Sequence, residues 1–557
     1  MTENRPMALP NPEWWKGGVV YQIYPRSFAD SNGDGIGDLP GILAHLDQLR
    51  DGGTDSLGVD AIWLSPIYPS PDFDFGYDVA DYVGVDSKYG TLADFDRLVE
   101  ACHARGVRVI LDLVLNHTSH RHAWFTASRA SRTGPFADWY IWRDSPGRSP
   151  SGRRRRPNNW RSFFGGPAWA WDETRGQFYL HTFLPQQPDI NWRNPAVQAA
   201  ILDVVGTWLD RGVDGFRLDV FNTFFKDAEL RSNPRRAGVR GSGWGSQVHL
   251  HDRNQPELAG ALAELRALVD QAPGRMTVGE LFDGSMDEAA AYTAPRHLTF
   301  DWSLIGLPWS AAAFAEAIRT RDAALGPDRW PANVLSNHDQ PRHASRYDAD
   351  PPDDGSLGDA RAKVLAALLL TLRGTPFLYY GEELALRSLE IPNELAFDPP
   401  ARRASPAFPW WNRDQARGPM PWRPGLGAGF TTGDPWLPLP PDADRRNVDV
   451  EAADADSVLS LYRRLTRLRR EYPALLTGAQ ELVDAGDLDV LAYRRLLDGR
   501  TAFVALNFAW RAAAIRLPAP ATGQPWRVVL STHGHAAGST LEDAVTLAPL
   551  EVLIAYD

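Results

Sequence analysis

The chain has 557 residues, 23% of them charged and 43% hydrophobic, and its 58 Lys and Arg against 70 Asp and Glu leave a formal net charge of −12. That composition excludes a wholly disordered, collagen-like or coiled-coil chain, and the acidity argues against nucleic acid or anionic lipid as the main partner. One cysteine, Cys102, leaves no disulfide framework or Cys-based metal site within the chain; no run of about 18 apolar residues is present and Met1–Pro12 lacks an apolar signal core, so a cytoplasmic protein of several domains is expected.

Over the first two-thirds, short apolar runs alternate with amphipathic segments. Strands are expected at Val19–Pro25, Ala61–Pro66, Val107–Asn116, Gly215–Val220, Met276–Leu281, His297–Trp302, Asn333–His338 and Pro376–Glu382. Helices are expected at Leu92–Arg105, Pro195–Arg211, Pro256–Asp270, Asp359–Arg373 and Ser457–Arg470. Eight such units predict an α/β chain folded as a closed parallel (β/α)8 TIM barrel, its strands buried on both faces. A doubly wound sheet would want a Gly-rich fingerprint after an early strand, and none is present.

Three stretches break the alternation. Residues 117–185, rich in Gly and aromatics, predict a loop-rich subdomain inserted after strand 3, and residues 384–441, dense in Pro and Trp, a second insertion. From Thr477 the runs Val490–Arg495, Ala502–Phe508, Trp526–Leu530 and Glu551–Ala555 alternate as an antiparallel β-sandwich domain would. The division is therefore 1–116 and 186–475 for the barrel, 117–185 for the inserted subdomain and 476–557 for the C-terminal domain. The basic run Arg153–Arg156 lies among Ser, Gly and Pro and reads as a solvated loop.

Just after the first strand, Asp30, Asn32, Asp34, Ile36 and Asp38 alternate, with Gly35 in the sixth place. Oxygen ligands at that spacing predict a structural Ca²⁺ or Mg²⁺ loop, with Ile36 offering its carbonyl. Gly41 stands where an EF-hand would carry its Glu, so no full EF-hand is implied. No sequence feature calls for an organic cofactor.

In a parallel barrel the site forms from polar residues just past the strand ends. Asp219, Glu280 and Asp339 each follow an apolar strand. One such carboxylate is ordinarily a helix cap or loop ion pair. Three together, beside Arg217 and His338, fit glycosidic cleavage, which needs one carboxyl at the anomeric carbon and another to protonate the leaving oxygen. Arg217 is two residues before Asp219, on the same strand face, where it would keep that carboxylate ionised.

These segments bring a resemblance into view. Asp112–His117, Gly215–Asp219, Gly279–Glu280 and Asn337–Asp339, flanked by Gly58–Pro66 and Gly374–Leu384, resemble the motifs of glycoside hydrolase family 13, the α-amylase family. Gln187–Trp192 is similar to the segment that marks its oligo-1,6-glucosidase/α-glucosidase branch. The resemblance implies that Asp219 is the nucleophile, Glu280 the general acid/base and Asp339 the transition-state stabiliser. It places Arg217, His117 and His338 in the glucose subsite, stacks Tyr77 on the glucose ring, and makes Phe164 and Gln187 further walls. It pairs Asp74 with Arg417, where Gly418 replaces the family's usual Thr and Arg413 lies four residues earlier. Val220, directly after the nucleophile, goes with acceptance of α-1,6 bonds.

The implied activity is that of a retaining, exo-acting α-glucosidase on short oligosaccharides, able to transfer glucose to acceptor alcohols or sugars. A monomer or weak homo-oligomer, with no nucleic-acid or membrane partner, is expected. A trehalose synthase-type isomerase is the alternative. A sucrose isomerase is disfavoured, because the Arg-Leu-Asp-Arg-Asp signature is absent. A catalytically silent, transporter-associated binding protein would lack the carboxylates or carry a membrane helix.

Overall fold

A computed structural model describes residues 13–294, 296–348, 356–402 and 411–557. The N-terminal Met1–Pro12 stretch and part of the second insertion lie outside the described residues.

Eight strands form a closed, wholly parallel barrel in chain order: β1 (Val20–Ile23), β2 (Ala61–Leu64), β3 (Arg108–Leu113), β4 (Gly215–Leu218), β5 (Met276–Gly279), β6 (Leu298–Asp301), β7 (Ala332–Val334) and β8 (Thr375–Tyr379), with β8 returning to β1. Every residue of these strands is buried. The pleat divides them into two cores. Val20, Trp63, Ile110, Val278, Phe300 and Phe377 fill the barrel, while Tyr21, Ile62, Val109, Phe216 and Leu218 turn outward onto the helices. Gly215 opens β4 because a Cβ there would stand 2.4 Å from the Met276 carbonyl oxygen.

All eight expected strands are present, but several end sooner than their apolar runs. β4 stops at Leu218 and β7 at Val334, so Val220 and Leu335–His338 lie in loops. The expected helices appear as Leu92–Ala104, Pro195–Asp210, Leu258–Val269, Ser356–Thr371 and Val458–Glu471. Thr91 and Asp94 close a capping box on the first, and Asn194 with Pro195 starts the second. Helix Ala311–Leu325 escapes the sequence pattern, because seven of its fifteen residues are alanines and only Phe314, Ile318 and Leu325 supply large apolar side chains.

Between β3 and β4 the chain forms helix Ala123–Ala130 and a small antiparallel sheet in the order Trp142–Arg143, Gln177–Leu180, Trp169–Asp172. This unit has its own core of Trp160, Trp169, Phe178 and Leu180, closed by Leu230 from the loop after β4. At the C-terminus Ala479–Val483, Val490–Leu497, Arg500–Asn507, Val552–Tyr556 and Arg527–Ser531 form an antiparallel sheet in that order. A two-stranded sheet, Ala513–Arg516 with Ala544–Leu547, packs on one face through Ile515 and Leu547. The other face meets the barrel helices, where Arg495 donates to the Thr371 carbonyl at 2.6 Å. Among the described residues no helix is long and apolar enough to cross a membrane.

Candidate active site

The barrel brings its polar residues together at the C-terminal ends of the strands. Asp112 on β3 and Arg217 on β4 are register partners, so both point into the barrel above Ile110. Arg217 is fully buried; its Nη1 lies 2.8 Å from Asp112 Oδ1 and 2.7 Å from Asp219 Oδ1, and its Nη2 donates to Glu280 Oε2. The expectation that Arg217 and Asp219 share a strand face and pair is thus met, but Arg217 does not keep Asp219 low, because burial raises that carboxyl despite the guanidinium. The rings of Trp63 and Tyr77 flank the guanidinium at 5.3 and 5.7 Å.

Burial pushes the Asp219 and Glu280 carboxyls up from their ordinary values, and neighbouring carboxylates push them further; Arg217 opposes both. One cation thus bridges two carboxyls whose protonated forms burial favours. Asp339 goes the other way. Burial works against its charge, but the adjacent His338, then Arg413 at 3.3 Å and Arg417 at 2.8 Å, hold it below the usual carboxylate range.

Behind this cluster runs a chain of neutral hydrogen bonds. With the assigned amide orientation, Gln22 Nε2 donates to His338 Nδ1 at 2.8 Å. That fixes the tautomer with hydrogen on Nε2, which meets the Tyr77 hydroxyl at 2.7 Å. Tyr77 in turn donates to Asp112 Oδ2 at 2.9 Å. Burial lowers His338 to about 3 and His117 to about 4, so neither is charged at neutral pH. His117 Nε2 lies 3.0 Å from the Tyr77 carbonyl oxygen, and Gln187 Nε2 donates to Asp74 Oδ2 at 3.0 Å.

One expected pairing is corrected. Asp74 is bonded by Arg413 Nη2 at 2.8 Å, not by Arg417. Arg413 opens the turn Arg413–Ala416 and is clamped by the fully buried Asp398, also at 2.8 Å. Arg417, at the end of that turn, points to the His338 carbonyl at 2.9 Å and to Asp339. The motif pattern favoured Arg417, and only the anchor at Asp398, fifteen residues earlier in sequence, identifies the other arginine.

A cavity of about 690 Å³ opens over these groups. Asp219, Glu280, Asp339, Asp74, Tyr77, His117, Phe164 and Val220 line it, as the sequence led us to expect. Arg217, His338, Gln187 and Arg417 stand behind that lining and act through the residues they hold. Tyr77 stacks on His338 with ring centroids 5.3 Å apart and planes at 4°. Sequence reasoning missed Phe163, Phe183, Trp244, Phe282, Trp302 and Trp411 and placed Arg413 second to Arg417; all seven also line the cavity. Phe282, two residues past Glu280, was the one with a local signal.

The Asp30–Asp38 loop lies apart from the cavity. Asp30 Oδ1 accepts from the Asn32 and Gly33 amides at 3.0 and 2.8 Å, Asp34 Oδ1 from Ile36 at 2.9 Å, and Asp38 Oδ1 from Gly41 at 2.6 Å. Asp38 thereby caps helix Leu39–Ala44. Among the described residues no three His, Cys, Asp or Glu side chains converge as a metal cluster, and Lys and Arg form no ion pair with Asp30, Asp34 or Asp38. The hard-oxygen donor set of Asp30, Asn32, Asp34, the Ile36 carbonyl and Asp38 suits a divalent cation in chemistry.

Comparison with known proteins follows the same lines. The family model described as the α-amylase catalytic domain matches residues 22–478. A probable α-glucosidase of Rhizobium meliloti (strain 1021) is 44% identical over 523 residues, covering 91% of this chain and 92% of that protein. An oligo-1,6-glucosidase of Parageobacillus thermoglucosidasius is 38% identical over 540 residues, with the same coverage. Among solved structures, an α-glucosyl transfer enzyme, XgtA, superposes with a TM-score of 0.88 at 42% identity, covering 98% of this chain and 99% of that one.

Two outcomes follow from the geometry. Asp74→Asn and Arg413→Gln, measured singly and together on kcat/KM for an α-glucoside, should couple by about 1.5 kcal/mol or more, and Asp74→Asn with Arg417→Gln by under about 0.5. Equal couplings would return the pairing to Arg417. The second concerns stability. A carboxyl whose pKa is raised on folding stabilises the fold below its ordinary value of 4.5 and withdraws that stability as pH rises through the raised one. Glu280→Gln should therefore melt higher than the parent by on the order of 1–3 °C at about pH 8, with the gap closing toward acid pH. A variant that melts lower at about pH 8 would contradict the direction of that shift.

Proposed function

Because the chain belongs to glycoside hydrolase family 13, the α-amylase family, and is a glycoside hydrolase of the α-glucosidase type, we propose that it is a retaining α-glucosidase that removes single glucose units from the non-reducing ends of short α-linked oligosaccharides. The observation that carries this reading is Arg217 bridging Asp219 and Glu280 at the floor of a cavity that Asp74 and Arg413 close at one end.

The chemistry divides between the two raised carboxyls. Asp219 gives its oxygen to the anomeric carbon as the glycosidic bond breaks. Glu280 passes its proton to the departing oxygen, so the leaving group departs as an alcohol. A covalent β-glucosyl ester on Asp219 results. Water then attacks the same carbon, Glu280 takes its proton, and Asp219 is released as carboxylate. Arg217 neutralises charge on whichever carboxyl carries it. Asp339, kept ionised by Arg417 and Arg413, is the charge that stabilises the oxocarbenium-like transition state.

Exo action follows from the closed end. Asp74, Arg413 and Asp398 form a buried ionic block, which supports a pocket closed beyond the terminal glucose. Asp74 offers acceptors and Arg413 donors to terminal hydroxyls, and a site built to bond a hydroxyl rejects analogues lacking it by up to about 10⁴-fold. Residues between β3 and β4 supply one wall, through Phe163, Phe164 and Phe183. Residues after β8 supply another, through Trp411 and Arg413. Val220 in the lining supports tolerance of α-1,6 linkages. The ester intermediate supports glucosyl transfer, and a trehalose synthase-type isomerase is the competing outcome.

The same reading gives Asp30, Asn32, Asp34, Ile36 and Asp38 a structural Ca²⁺ or Mg²⁺. A bound cation would supply charge balance to the loop and no chemistry to the cavity. Chelation should then lower the melting temperature, by removal of a ligand bound to the native state alone, and spare kcat while the fold persists. Lost activity with an unchanged melting temperature would refute a purely structural role.

The mechanism is checked by the anomer first released. Proton NMR early in maltose turnover should show α-glucose, and initial β-glucose would exclude the double displacement. Maltoheptaoside blocked at its non-reducing end should resist the enzyme, whereas the free sugar should lose glucose one unit at a time. Rapid mid-chain cleavage of the blocked sugar would mean an open cleft, and trehalose from maltose would favour the isomerase.

A further inference from the structure

The basic run Arg153–Arg156, to which catalysis gives no task, does not stand alone. It lies in a hairpin of the inserted subdomain, where the Ser149 amide donates to the Arg153 carbonyl at 2.8 Å and Arg148, Arg153, Arg155 and Arg156 are exposed. The loop after β4 brings Arg235, Arg236 and Arg240 to solvent as well. Among the described residues none of these seven arginines forms an ion pair. Their neighbours Arg154, 3.4 Å from Glu173, and Arg231, 2.7 Å from Asp227, do.

Hydrogen bonds join the two loops into one face. Asn159 Nδ2 donates to the Asn233 carbonyl at 2.8 Å, and the Asn233 amide returns a bond to Asn159 Oδ1 at 2.9 Å. Trp160 Nε1 donates to the Arg231 carbonyl and Gln247 Nε2 to the Asn159 carbonyl, each at 2.9 Å. The face reaches the rim of the cavity. The Arg236 amide donates to the Ser246 carbonyl at 2.9 Å, and Ser246 ends the turn Trp244–Ser246, whose first residue lines the cavity. Unpaired positive charge is thus gathered at one place on a chain whose net charge is −12. Packing gains nothing from it, and like charges held together repel.

The chemistry of the face narrows its partner. Guanidinium forks bind carboxylate, sulfate and phosphate groups two bonds at a time, so several of them together fit a polyanion. The rest of the surface is acidic, so a lipid sheet or a stiff duplex laid on the face would meet repulsion beyond it, whereas a flexible chain can follow the arginines alone. Single-stranded nucleic acid binds through rings on which its bases stack, and residues 145–161 and 229–250 expose no aromatic side chain. We propose that this face docks an anionic polysaccharide, a chain bearing carboxylate or sulfate groups, alongside the mouth of the cavity. The proposal stands apart from the glucosidase reading, since none of the seven arginines lines the cavity.

The test is binding of labelled polygalacturonate followed by fluorescence anisotropy, with neutral dextran of equal length and poly(U) as comparisons. Polygalacturonate should bind and dextran should not. With four or five arginines engaged, each releasing a counterion, a rise in salt from about 50 to about 200 mM should weaken binding about a hundredfold. A variant carrying Arg153→Gln, Arg155→Gln and Arg156→Gln, and another carrying Arg235→Gln, Arg236→Gln and Arg240→Gln, should each bind about tenfold more weakly or worse and show a flatter salt dependence. Both should melt with the parent, because exposed side chains of this kind hold little of the fold. Equal binding of polygalacturonate and dextran, or an affinity that neither triple variant lowers, would overturn the proposal. Tighter binding of poly(U) than of polygalacturonate would overturn it too, and give the face to nucleic acid.

Discussion

Arg217 is the constraint around which the site is built. A guanidinium cannot shed its charge, and this one is fully buried on a barrel strand. Taking it out of water costs several kcal/mol unless carboxylates surround it. Asp112, Asp219 and Glu280 do so from three adjacent strands, β3, β4 and the end of β5. Removing any one leaves the others, but replacing Arg217 would leave three buried carboxylates without their shared cation. The barrel geometry thus makes one residue's electrostatic need into the catalytic constellation.

The charge balance then sets the proton inventory. Among the described residues, Asp74, Asp112, Asp219, Glu280, Asp339 and Asp398 share the guanidiniums of Arg217, Arg413 and Arg417. With more carboxyls than cations in a dry enclosure, each carboxyl's pKa follows how closely the guanidiniums reach it. Asp339, with Arg417 and Arg413 directed at it, ionises. Asp219 and Glu280, which divide Arg217 with Asp112, are both pushed up by burial. The uneven distribution of three arginines thus separates Asp339, held low, from Asp219 and Glu280, which are both raised.

The same geometry explains what could be read in advance. The eight strands were legible because burial on both faces demands continuous apolar runs, and the carboxylates because strand ends in a parallel barrel converge. Arg217 and Asp219 were legible from a spacing of two. The Arg413 pairing was not, since it depends on Asp398, which sits in an irregular segment with no periodic signal. Nor were Phe163, Phe183, Trp244 and Phe282. An aromatic residue in a loop looks the same in sequence whether it packs in a core or lines a cavity, and here four loops far apart in the chain contribute the rings. Helix Ala311–Leu325 was hidden because small side chains suffice where it meets its neighbours.

Val220 joins the two halves of the site. A β-branched residue at φ 35 and ψ 40 is in a conformation that costs of order 1–3 kcal/mol, and it persists only where surrounding contacts enforce it. Its carbonyl accepts from the Thr223 amide at 3.0 Å and from the Thr223 hydroxyl at 2.7 Å, which closes a tight turn directly after Asp219. The turn stops β4 from continuing, so the Asp219 carboxylate is left at the rim of the barrel with Arg217 beneath it. It also carries the Val220 side chain into the apolar cluster of Phe164, Phe183 and Leu184, next to Phe282. Apolar burial there offsets backbone strain here. The aromatic wall therefore has two effects from one set of contacts: it holds the nucleophile's turn in a conformation the backbone disfavours, and it presents flat apolar surface to whatever lies beyond Glu280.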